Sequence, residues 1–187
     1  MLISQIGNYA LIFGVIFSFF LITCLLLNTY KFININLTTI YSILFLQLFL
    51  VLVSFFCLVY AFIISDFSNI TVYNNSHTTK PLFYKISGTW GNHEGSMLLW
   101  LLVLTLFVFL FFINSKKQPK NYRLFTLIFQ QIIITGFFLF VLITSNPLNI
   151  IFPKPAEGLG LNPILQDPAL AIHPPILYLG YVGSSII

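Results

Sequence analysis

Three histidines, two tryptophans, two cysteines and four acidic residues are the side chains of this sequence with the widest chemical reach. Most of them fall in two stretches. GTWGNHEGSMLLW, residues 88–100, holds both tryptophans, His93 and Glu94. LNPILQDPALAIHPPILYLGYVG, residues 161–183, holds Asp167 and His173. His93-Glu94 opens like the zinc-protease pattern HExxH, but position 97 is Met. A zinc pair needs its second imidazole one helical turn on, so no such site follows. Trp90, His93, Met97 and Trp100 are spaced as residues on one stripe of a helix. Glu94 is expected in the first turn, where a carboxylate meets the positive end of the helix dipole. Gly91 and Gly95 lie four apart, a spacing that permits close helix approach.

In the second stretch a turn-forming residue precedes proline three times, at Asn162-Pro163, Asp167-Pro168 and His173-Pro174. Asn and Asp cap helices well, and Pro fits the first helical position. The pattern predicts two short helical turns and then a new helix from about residue 176. Pro174 disfavours helical geometry at His173, so the imidazole is expected at the mouth of that helix, outside its hydrogen-bonded ladder. His77 lies in the polar run TVYNNSHTTKP and is expected to be solvated. Cys24 and Cys57 sit in apolar runs with no CxxC spacing and read as small buried hydrophobes. Asn69-Ile70-Thr71 and Asn74-Asn75-Ser76 match glycosylation sequons, which matter only in a secretory pathway.

The elements that must position these residues follow from composition. Hydrophobic residues make up 58% of the 187, and charged residues only 6%. Soluble domains carry about 25% charged residues, so the solvent of most of this chain is lipid. The net charge of +4 is a topology signal, not a nucleic-acid footprint, because half of the basic residues fall in one short loop. Apolar runs predict an all-α, polytopic membrane bundle. Four complete spans lie at about 6–27, 40–64, 95–113 and 124–144, and a fifth starts at 176–187, all in a single membrane domain. No basic segment precedes the first run and no cleavage site follows it, so that run is expected to remain as a helix. Two long loops, about 65–94 and 145–175, share one side. The other side holds Lys31, Lys116, Lys117, Lys120 and Arg123, five of the eight basic residues. The positive-inside rule places the long loops on the outer face. That face collects every histidine, tryptophan and acidic residue, and long loops on a bundle are where function concentrates.

The motifs TWGNHEGSMLLW, TSNP and LNPILQDPALAIHPPILYLGYVG, with DFSNITVYNNS and KPLFYKISGTW before them, resemble the N-terminal part of the CcmF family of cytochrome c maturation proteins. The resemblance runs in order from about residue 6 to residue 182. It implies a haem-handling membrane protein, the synthetase part of a cytochrome c haem lyase. Haem b would arrive on a CcmE-type chaperone and apocytochrome c through CcmH-type partners. Thioether bonds would then form between haem vinyl groups and the apocytochrome's cysteines. The resemblance makes His173 an axial ligand of the haem iron. Trp90, His93, Pro174 and Tyr178 are then expected in the pocket wall, and no catalytic residue is assigned.

The family's WWD segment, second outer histidine and membrane histidines lie later in its chain. This sequence has no Trp after Trp100 and no His after His173. It is therefore expected to be a split piece or an incomplete sequence, inert alone and completed by a fragment carrying the WWD segment. A composition rich in Asn, Ile, Phe and Lys suggests an organellar genome. The expected location is the mitochondrial inner membrane, long loops facing the intermembrane space, with a bacterial plasma membrane and periplasmic loops as the alternative. A structural subunit of a respiratory or other membrane assembly, without haem contact, is the competing function. A transporter is not supported, because the first four spans place no ionisable group near the membrane midplane.

Overall fold

A computed structural model describes residues 1–160, 162 and 166–186. Among the described residues seven α-helices follow in chain order: α1 (Leu2–Thr29), α2 (Leu37–Ile63), α3 (Ile70–Asn75), α4 (Leu82–Gly88), α5 (His93–Asn114), α6 (Lys120–Ile143) and α7 (Pro168–Gly183). Helices α1, α2 and α6, and α5 with the 3₁₀ turn that follows it, are long and apolar enough to cross a membrane. No proline interrupts these four, so the backbone hydrogen bonds of their interiors close within each helix, the condition for life in lipid.

The four long helices form a closed square. Helix α1 packs on α2, α2 on α5, α5 on α6, and α6 returns to α1. Leu11, Leu21, Val51, Leu101, Leu104 and Ile134 fill the centre. Phe13, Phe20, Phe45, Phe49 and Phe129 point outward, as expected where the surrounding medium is hydrocarbon. Gly14 has a direct packing reason: a Cβ there would lie 2.6 Å from the Phe138 ring, so the missing side chain lets α6 close on α1. Deeper in the bundle Ser18 Oγ lies 2.6 Å from Thr135 Oγ1 and accepts from Gln131 Nε2 at 2.7 Å. These bonds cross from α1 to α6 in a region with no water to replace them.

The two long loops bind each other and the bundle. The Ile151 amide donates to the Ser68 carbonyl at 2.8 Å, Ile70 to Asn149 at 3.0 Å, and Leu159 to Tyr73 at 2.8 Å. Leu148 is inserted beside Gly7 of α1 and Cys57 of α2. Asn69 ties three segments together. Its Oδ1 caps α3 through the Val72 amide at 3.0 Å, and its Nδ2 donates to Ser4 Oγ at 3.1 Å and the Pro147 carbonyl at 2.9 Å. This fully buried amide has no free hydrogen for a glycan, which removes the first sequon from consideration. His77 is not simply solvated: its Nδ1 lies 2.9 Å from Thr79 Oγ1, and its Nε2 lies 3.8 Å from the Glu157 carboxylate. Cys24 and Cys57 are free and half-buried, so they are less enclosed than the apolar runs suggest.

The fifth helix differs most from the sequence reading. Asp167 caps it with Pro168 at the first position, its Oδ1 accepting from Ala169 at 2.8 Å and Leu170 at 3.0 Å. That cap is where the Asp-Pro pattern places one. The helix then continues through His173, Pro174 and Pro175 instead of restarting near residue 176. His173 therefore stands on the helix and not outside its ladder. The short turn expected at Asn162-Pro163 lies partly outside the described residues.

Two outcomes test the lacing of the loops. Asn69→Ala strips three hydrogen bonds from a fully buried site and is expected to cost roughly 2 kcal/mol, read as a lower melting temperature in detergent. Asp66 supplies the pH dependence. Burial pushes its carboxyl up, but hydrogen bonds from the Met1 ammonium and Ser68 outweigh that and hold it below its usual value. A carboxyl lowered on folding stabilises above its unfolded value and loses that contribution as pH falls through the folded one. Amide protection at Ile151 should therefore drop below the ordinary carboxylate range in the native protein. Asp66→Asn should abolish that pH-dependent change.

Candidate functional site

The turn between α4 and α5 is built by its own sequence. Asn92 caps α5 with its Oδ1, which accepts from the Gly95 amide at 2.8 Å. Its Nδ2 reaches back to the Gly88 carbonyl at 2.7 Å and the Thr89 carbonyl at 3.2 Å. Ser96 Oγ donates to the Trp90 carbonyl at 2.7 Å. Any Cβ at Gly95 would stand 1.6 Å from the Thr89 carbonyl oxygen, so only glycine fits this turn. The helix approach expected from the Gly91/Gly95 spacing is not the reason for Gly95: the atoms that a Cβ there would meet belong to the preceding turn, at Thr89 and Asn92. Trp90 consequently precedes α5 and does not share a helical stripe with His93, Met97 and Trp100.

The turn aims the Trp90 indole at α7. Its Nε1 donates to the Ala171 carbonyl at 2.7 Å. In an unbroken α-helix that carbonyl would accept from residue 175, which is proline and has no N–H. Trp90 thus supplies the donor that Pro175 lacks, and α7 is joined to the α4–α5 turn at its own defect. Lower down, Trp100 holds the same helix. Its ring centroid lies 5.6 Å from Phe137, 5.2 Å from Tyr178 and 6.3 Å from Tyr181. A Cβ at Gly183 would meet the Phe107 ring at 3.0 Å, so α7 runs close against α5.

Between the turn and α7 lies a cleft of about 430 Å³. Trp90, His93, Met97, His173, Pro174 and Tyr178 all line it. All five residues expected at the site from sequence are therefore brought together, from segments far apart in the chain. Their surroundings differ. His93 is fixed: its Nε2 lies 3.0 Å from Ser145 Oγ at the end of α6, and its ring meets Phe140 edge-on at 6.2 Å. His173 is exposed, and its imidazole has no hydrogen-bond partner among the described residues. Glu94 occupies the first turn of α5. Among the described residues no cluster of three metal-ligating side chains occurs. Sequence reasoning missed Asn92, Ala171 and Ser145. The first carried a readable capping signal, an Asn before the helix start. The other two act through contacts that local sequence does not encode.

This architecture is that of a polytopic helical membrane protein with a histidine-bearing cleft at its loop-bearing end. Comparison with known proteins gives the family. The cytochrome c assembly protein family matches residues 90–187. The cytochrome c-type biogenesis protein CycK of Rhizobium meliloti is 53% identical over 137 residues, covering 73% of this chain and 20% of its own length. CcmF of Haemophilus influenzae is 42% identical, covering 99% of this chain and 29% of its own length. The solved structure of a cytochrome c haem lyase CcmF superposes with a TM-score of 0.81 at 26% identity, over 98% of this chain and 29% of that one. The chain belongs to the cytochrome c assembly protein family and is a multi-pass membrane protein corresponding to an N-terminal segment of CcmF. It spans a fifth to three tenths of the length of these relatives.

The bond between the turn and α7 is tested by a double substitution. Trp90→Phe keeps most of the ring but leaves the Ala171 carbonyl without its donor, and should cost about 1–2 kcal/mol of stability. Pro175→Ala restores an N–H within the helix itself. In that background Trp90→Phe should cost clearly less. Equal losses in both backgrounds, read from melting curves, would show that the indole N–H does not replace the proline's missing donor.

Proposed function

We propose that this chain forms the N-terminal part of a cytochrome c haem lyase and holds haem b, as substrate, at the loop-bearing end of the bundle. One observation carries the reading: an exposed imidazole without a hydrogen-bond partner among the described residues, His173, stands beside an aromatic and apolar cleft. That donor set suits an iron porphyrin, whose metal takes one imidazole nitrogen while its apolar edge lies against side chains. His173 would be the iron ligand. Trp90, Pro174 and Tyr178 would form wall, and His93 would hold that wall to α6 through Ser145. Haem supplies the vinyl groups across which apocytochrome thiols add, each S–H addition giving a thioether with no leaving group. The residues of this chain would bind and orient the haem.

The relatives' names support a place in cytochrome c maturation and do not favour a purely structural respiratory subunit. A companion polypeptide carrying the WWD segment would complete the pocket. CcmE-type and CcmH-type proteins would deliver haem and apocytochrome c. The long loops would face the mitochondrial intermembrane space, or the periplasm of a bacterium.

His173→Ala in the assembled complex provides the test. Loss of an iron ligand should lower bound haem by about tenfold or more, since even removing residues that only orient a ligand costs 10–100-fold. The pyridine haemochrome spectrum and the yield of c-type cytochrome both report it. Unchanged haem content with normal yield would overturn the assignment.

A further inference from the structure

The end of the bundle opposite the cleft carries Lys31, Lys116, Lys117, Lys120 and Arg123 and no acidic residue. Arg123 is not a free loop charge. It lies in the first turn of α6, buried, with its guanidinium fixed on three sides. Nε donates to Ser115 Oγ at 3.1 Å, Nη2 donates to the Phe112 carbonyl at 3.1 Å, and the Phe112 ring centroid lies 5.0 Å from Cζ. Nη1 makes no hydrogen bond among the described residues. A cleft of about 450 Å³ opens beside it, between the start of α2 and the end of α5, lined also by Thr38, Tyr41 and Lys116. Lys116 is exposed and forms no ion pair among the described residues.

From Tyr41, at the wall of this cleft, a cluster of aromatic rings extends along α2 and α5. Tyr41 lies 5.5 Å from Phe109 and 6.4 Å from Phe45, and Phe45 lies 6.0 Å from Phe109. Tyr41 and Phe45 are one and two turns into α2, and both are exposed. A fixed guanidinium and an exposed ammonium thus share a cleft with Tyr41, where an apolar aromatic face on α2 and α5 begins. Arginine held in a fixed fork suits a phosphate, and basic groups at a membrane surface attract anionic lipid.

We propose that the α2–α5 groove is a binding site for one anionic phospholipid, its phosphate at Arg123 and Lys116 and an acyl chain against Tyr41, Phe45 and Phe109. Charge complementarity selects this occupant: the charged residues of this end are all cationic, and the aromatic face next to them is apolar. Free phosphate would use only the upper half. A companion helix seated in the groove would exclude the lipid.

Native mass spectrometry of the purified, assembled complex tests this, with phosphatidylglycerol and phosphatidylcholine of equal chain length added separately. One phosphatidylglycerol should be retained in preference to phosphatidylcholine. Lys116→Ala should weaken that retention about fivefold, the effect of one basic residue near an anionic headgroup. Lys117→Ala should leave it unchanged. Both residues are exposed, so neither substitution threatens the fold. Excess inorganic phosphate should not displace the lipid. Equal retention of the two lipids would overturn the site, as would equal effects of the two lysine substitutions or displacement by phosphate. Complete absence of bound lipid from the assembled complex would also overturn it, by giving the groove to a protein partner.

Discussion

The hydrogen bond from the Trp90 indole to the Ala171 carbonyl joins the halves of the candidate site. Its necessity comes from the solvent. At a membrane edge, a carbonyl left unpaired by proline has little water to turn to, and each unsatisfied backbone group costs several kcal/mol in hydrocarbon. Two consecutive prolines in α7 would make that helix a weak element by itself. The indole turns the weakness into an attachment point, because the freed acceptor is what a neighbouring donor can hold. The GTWGNHEGS turn can then be understood as a mount for that donor. Asn92, Gly95 and Ser96 fix the backbone on either side of Trp90, and the ring has a defined direction.

Around that bond the loop-bearing end is unusually well tied for a pair of long connections. Asn69 and Leu148 anchor the two loops to α1 and α2, and backbone bonds join them along their length. Such rigidity is what the proposed haem-holding role requires, because a bound group is oriented only by walls that stay in place. The two histidines of the cleft illustrate the division. His93 is engaged with Ser145 and contributes to the scaffold, while His173 has no hydrogen-bond partner among the described residues. The opposite end has the complementary character: short connections, only positive charge, and a fixed arginine where the helices meet the membrane surface.

Sequence alone settled the class of fold. Runs of about twenty apolar residues with almost no charge leave helices as the only spanning form, so four long helices and two long loops on one side were legible from composition and spacing. The Asp167-Pro168 start of α7 was legible too, since capping chemistry is local. Family resemblance pointed to the five cleft residues before any coordinates. Tertiary structure decided three things that local rules could not. It carried α7 through Pro174 and Pro175, because a donor from a distant turn took up the acceptor that Pro175 leaves free. It took Trp90 off the helical stripe, because Asn92 caps the helix after it. And it separated the roles of His93 and His173, because only packing decides which imidazole finds a hydroxyl and which is left facing the cleft.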